Sequence, residues 1–203
     1  MQMLGGNNAI LRGGSMAGTY KFARRNLLPI TKNFAAMTMQ GTPNPTLTGT
    51  LGGVAAYTLT DDDPVQWEAA VLSLSGSVLG NYTFQVRIGK NPSPTSAAAA
   101  RIAFSNGVTP FFCGFELNAT TGVLLVTSVW SDRLVSRSVT DGGDHWLVEV
   151  KMAFISGDTL TNASFFPAYF AADGVSQAAS NVGSHVFAAP QLEVGLVRTD
   201  WQE

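Results

Sequence analysis

In Tyr82-Thr83-Phe84-Gln85-Val86-Arg87-Ile88, apolar and polar residues alternate without a break. A period of two puts Tyr82, Phe84, Val86 and Ile88 on one face of an extended strand, so the segment reads as a half-buried β-strand. A second copy of the pattern, Trp146-Leu147-Val148-Glu149-Val150-Lys151-Met152, sets Val148, Val150 and Met152 opposite Glu149 and Lys151. Gly142-Gly143 just before it supplies a turn.

Outward from these two, the body from Asn26 onward continues as short segments rich in Val, Ile, Thr and aromatics between Gly, Pro, Asn and Asp clusters. Residues 52–60, 65–75, 82–88, 99–104, 111–118, 123–130, 146–155, 164–171 and 185–194 are the nine predicted strands. That number suits an all-β sandwich of two packed antiparallel sheets. No window sustains an i, i+3, i+4 apolar pattern, and Ala97 to Ala100 is too short for an isolated helix, so helices should be few. The proline-bearing stretches 41–46 and 91–96 read as surface connections, since proline cannot donate to a sheet ladder.

With 203 residues, 45% hydrophobic and only 13% charged, the chain has material for a sizeable core and too few charges for a solvated coil. No apolar run reaches the 18 or so residues of a membrane helix, and Met1 to Asn8 lacks the basic start and apolar stretch of a secretory signal. A membrane partner is therefore not expected. One cysteine, Cys113, excludes an intrachain disulfide and is expected to fill core space beside Phe111, Phe112 and Phe115.

The charge is unevenly spread. Residues 1–60 carry Arg12, Lys21, Arg24, Arg25 and Lys32 with no acid, leaving seven basic and fourteen acidic residues for the remainder. Met1 to Arg25, rich in Gly and Asn and without a period, is predicted to be an extended N-terminal arm (1–25) before the sandwich (26–203). Leu4, Leu11, Arg12, Tyr20, Lys21, Arg24 and Arg25, with Trp201 near the other end, are the expected partner-binding residues. Nucleic acid is not expected as a partner, because the body is acidic and Arg24-Arg25 is too short a phosphate track.

Several segments, read in order, resemble the carbohydrate-binding-module-like jelly rolls of tailed-phage structural proteins. They are Asn26-Leu27-Leu28-Pro29 with Phe34, the strand 82–88, Phe115-Glu116-Leu117 through Gly122, the strand at Trp146, and the ending Ala189-Pro190-Gln191-Leu192-Glu193-Val194-Gly195. That ending approximates a closing Gly-Ala-Gln-Leu-Glu-x-Gly signature. The resemblance implies a jelly-roll β-sandwich in a virion protein made in the bacterial host cytoplasm.

Two functions follow as expectations. The first is a non-enzymatic capsid decoration or cement protein on the head exterior, its partners being the major capsid protein and itself as a dimer or trimer. The second is a glycan-binding module of a tail or head fibre for host-surface polysaccharide, with Trp130, Trp146 and Tyr169 as glycan-facing aromatics.

Catalysis is not expected. Glu116, Glu149 and Glu193 could supply an acid–base pair, but no spacing brings two of them to a defined separation, and no nucleophile elbow, phosphate loop or zinc-protease motif is present. Asp61-Asp62-Asp63 offers oxygens of the kind calcium takes, yet neighbouring strand residues point opposite ways, so a solvated turn before Pro64 is the expectation. No metal and no cofactor is assigned.

Overall fold

The computed structural model describes residues 26–28, 33–125, 131–171, 178 and 180–197. They form two six-stranded sheets packed face to face, with all strand pairings antiparallel. The first sheet is ordered β1 (Thr38–Gln40), β4 (Ala69–Ser77), β11 (Thr159–Ala171), β6 (Ser96–Ser105), β7 (Pro110–Asn118) and β8 (Val123–Leu124). The second is ordered β2 (Thr46–Leu51), β3 (Val54–Asp61), β12 (Gly183–Val194), β5 (Gly80–Gly89), β10 (His145–Phe154) and β9 (Leu134–Asp141). This is the jelly-roll sandwich; the only helical element among the described residues is a 3-10 turn, Phe34–Ala36. The arm residues 1–25 lie outside the described residues.

The core sits between the sheets, as the pleat requires. Tyr82, Phe84, Val86 and Ile88 point inward from β5, and Val148, Val150 and Met152 from β10, to meet Ala98, Ala100, Ile102 and Phe104 of β6 and Phe115 and Leu117 of β7. Phe165 stands edge-on to Phe34 at 5.0 Å and to Phe187 at 6.1 Å. Burial of each such ring stabilises the fold by roughly 1.5–3 kcal/mol. Cys113 is fully buried in this layer, and burial pushes its thiol pKa up to about 12.

Three strands were missed by the period-two reading: β1, β2 and β9. All lie at or next to sheet edges. An edge strand need not bury a regular apolar face: β2 exposes five of its six residues, and β9 places Arg137 opposite the core residue Val150 and then shifts register near Leu134. The strand predicted from Val65 begins at Ala69, because Asp63 accepts from the Val65 backbone N–H at 2.8 Å and holds a turn there. The strand predicted for 123–130 is described only at Val123–Leu124.

Residues 82–88 are enclosed on both faces rather than half-buried. Thr83 and Gln85 on the outer face are 1% and 5% exposed. The Thr83 hydroxyl donates to Gly195 O at 2.6 Å, and the Gln85 side-chain amide donates to Gln191 Oε1, so burial leaves these donors satisfied.

Candidate functional site

The outer face of the sheet containing β4, β11, β6 and β7 is built from the residues that alternate with the core set. Cross-strand register gives one row Val71, Ser164, Arg101, Gly114, and a second row Ser73, Asn162, Ala103, Phe112. A further pair, Phe166 opposite Ala99, joins Ala69, with Trp67, Val71 and Tyr169 packed against it, in a small apolar cluster separate from the main core. Trp67, Phe112 and Tyr169 are half-buried there, while Phe166 is 2% exposed.

Two local features create this arrangement. In β11 the register with β6 jumps between Phe166 and Phe170, so the segment through Pro167 carries extra residues. Proline has no N–H for the ladder and belongs at such bulges, and a bulge re-aims the side chains it contains. Here it brings Tyr169 to 5.2 Å from the Trp67 ring and 4.8 Å from Phe166. The Ser96 hydroxyl donates to Pro167 O at 2.9 Å and ties the bulge to β6.

The second feature is Arg101, whose guanidinium carbon lies 4.2 Å from the Phe112 ring centroid, 4.7 Å from Phe166 and 5.7 Å from Tyr169. Its Nη1 donates to the Tyr169 hydroxyl at 3.4 Å. Burial lowers its pKa from the ordinary guanidinium value, with the tyrosine partly opposing that shift. Small residues (Ala99, Ala103, Gly114, Ser164) form the floor around it, so the face is a shallow aromatic platform. Flat rings beside hydrogen-bond donors can take a ligand that has both apolar faces and hydroxyl or charged groups.

Of the aromatics expected to face a glycan, Tyr169 is on this platform. Trp146 is not: it packs against the core, its indole N–H donates to Ala119 O at 2.8 Å, and Gly122 leaves room for its ring. Lys90 Nζ sits 4.3 Å from the Trp146 ring. Trp130, and the expected partner-binding residues Leu4, Leu11, Arg12, Tyr20, Lys21, Arg24, Arg25 and Trp201, lie outside the described residues. Trp67, which the sequence offers with the other tryptophans as a ring able to stack, is on the platform; Arg101, Phe112 and Phe166 were missed by the sequence reading. The signals that point to them are a lone arginine inside the apolar run Ala97 to Phe104 and a proline inside the strand Ser164 to Ala171.

The carboxylates do other work. Glu116 is fully buried, with Arg137 Nη1 3.8 Å from its Oε2, and Glu193 is 1% exposed, so neither occupies an exposed strand face. Glu149 shares the outer face of the second sheet with Gln85 and lies 3.2 Å from Lys151 Nζ. Asp61 is not solvated: at 1% exposed, it accepts from the backbone N–H of Glu68 at 3.1 Å and of Asp63 at 3.3 Å. Burial, aided by the nearby Glu68 and Asp63 charges, raises its pKa to about 6. Among the described residues no group of three or more His, Cys, Asp or Glu side chains is placed to hold a metal ion.

No family model matches the sequence, and no curated protein matches it. Among solved structures, the chain aligns with a carbohydrate-binding module, TmCBM27, studied for specific mannan recognition. The alignment has a TM-score of 0.38 and 12% identity, and it covers 78% of this chain and 84% of that one.

Proposed function

We propose that the protein is a non-enzymatic binding module that holds a polysaccharide on the outer face of β4, β11, β6 and β7. One observation carries the reading: Phe112 and Tyr169 flank Arg101 and Trp67 stands against Tyr169, all three rings half-buried on a face that points away from the core. A pyranose ring offers apolar C–H faces for stacking and equatorial hydroxyls for hydrogen bonds, and the platform supplies partners for both. Such a module serves attachment of a virion to a host-surface glycan. The test is a glycan array probed with the full chain and with Trp67→Ala. Saturable binding lost in the folded variant supports the reading, and no binding to any glycan overturns it.

Capsid decoration remains a second proposal, supported by the basic residues concentrated in the first 60 positions. Co-sedimentation with capsids, weakened when Arg12, Lys21, Arg24 and Arg25 are together replaced by Gln, would support it. Unaltered or absent binding would count against the basic segment as the anchor.

A further inference from the structure

The described arginines differ in what neutralises them. Arg133 Nε lies 2.8 Å from Asp158 Oδ2 and Arg137 Nη1 lies 3.8 Å from Glu116 Oε2, while Arg87 Nη1 donates to the carbonyls of Leu51 and Gly52 at 2.7 and 2.9 Å. Arg101 has no carboxylate within 4.0 Å among the described residues, and its single hydrogen bond is the 3.4 Å contact to the Tyr169 hydroxyl.

The rings explain how the cation is tolerated without explaining what its donors are for. Phe112, Phe166 and Tyr169 offer their electron-rich faces to the guanidinium, an interaction that does not engage the N–H bonds in the guanidinium plane. Nε is enclosed without a partner. The residue as a whole is half-buried, and beyond the Tyr169 contact Nη1 keeps one N–H and Nη2 both, so the Nη1–Nη2 edge is the one with donors left for a ligand. Trp67 Nε1, across Tyr169 from Arg101, is a second enclosed donor with no partner.

A guanidinium fork is matched by the two oxygens of a carboxylate, and the pair gains strength where water is partly excluded. The nearest acidic side chain in the register of this face, Glu116, is buried and already beside Arg137. We propose that the saccharide held on this face is acidic, a polymer of uronate residues, with Arg101 taking the ring carboxylate while Tyr169 and Trp67 carry the sugar face. The inference rests on the polysaccharide reading and adds the charge of the ligand.

The experiment is isothermal titration of the full chain with polygalacturonate and with the same polymer methyl-esterified, which keeps the rings and removes the charge. The expected result is binding of the acid form about tenfold or more tighter than the ester, weakening with added salt. In Arg101→Met, the preference for the acid form disappears. Equal affinity for the two polymers overturns the acidic assignment and leaves the polysaccharide reading standing; no binding to either, nor to any glycan on an array, overturns both. Polyglutamate serves as the charge control, and binding to it as tight as to polygalacturonate overturns the saccharide part. The acid–ester comparison uses the unaltered protein, so its outcome stands even if the Arg101 variant fails to fold.

Discussion

Arg101 and Gly114 face each other across β6 and β7, and the missing side chain at 114 is what lets the two backbones approach closely beneath the arginine. A Cβ on Gly114 would collide with Ala100 O and stand 2.8 Å from the Arg101 Cβ. Because the first contact is to backbone, the two strands would have to part. Gly114→Ala is expected to cost about 1–3 kcal/mol and to weaken ligand binding as well. Urea unfolding with the retention of the folded variant on an affinity gel checks both; unchanged stability would contradict the close approach.

Stacking on the platform predicts a contrast between aromatics. Tyr169→Ala should lower affinity for the bound polysaccharide roughly tenfold, the scale of a lost contact at the centre of an interface. Trp146→Phe should leave affinity unchanged, since the Trp146 ring packs on the core and its N–H serves Ala119 O. Titration of the two folded variants decides it, and equal losses would place the site elsewhere.

Ala189 has φ +51, in the left-handed region that L-residues with a Cβ adopt at a cost. It lies where β12 shifts register between Ala188 and Gln191, the position at which the resembled closing signature carries Gly. Ala189→Gly is expected to raise stability by about 0.5–1 kcal/mol, the relief of strain being partly offset by the greater freedom of glycine in the unfolded chain. Thermal unfolding of the variant measures this, and a lower Tm would argue that the strain is absent.

Two buried groups give the stability opposite pH slopes. Asp61, raised to about 6 by burial, binds its proton more readily folded than unfolded, so its contribution falls as pH rises from about 4 to 6. His185 is 2% exposed, its Nε2–H donates to Ser96 O at 2.9 Å, and its Nδ1 has no partner. Burial lowers its pKa, so the unfolded chain takes up the proton first and stability is lost as pH falls below about 6.5. His185→Phe should remove that acid loss and leave the Asp61 slope alone, whatever constant offset the lost hydrogen bond adds. Chemical denaturation at a series of pH values reads the slope, and an unchanged acid limb would refute the role of His185.

Strands β5 and β10 were legible because each packs Tyr82–Ile88 or Val148–Met152 against a core, and a buried face forces a two-residue period into the sequence. Edge strands β2 and β9 were not, since a strand with one neighbour and little burial tolerates Thr, Ser and Arg137 without a regular pattern. Cys113 was legible as core from Phe111 and Phe115, two residues to either side on the same face, whereas Phe112 next to it points to the outer face. The surroundings of Trp146 were not legible, because an aromatic in a strand looks alike in sequence whether it faces a ligand or a loop carbonyl.

The all-β class, the inward faces of the central strands and the buried thiol follow from local periodicity and hydrophobicity, which each segment carries on its own. The platform exists only once the chain is folded. Trp67, Arg101, Phe112 and Tyr169 come from four separated segments, and their meeting depends on strand order, on register and on the bulge at Pro167. Those are set by how two whole sheets share one core, a constraint that no single segment of the chain carries.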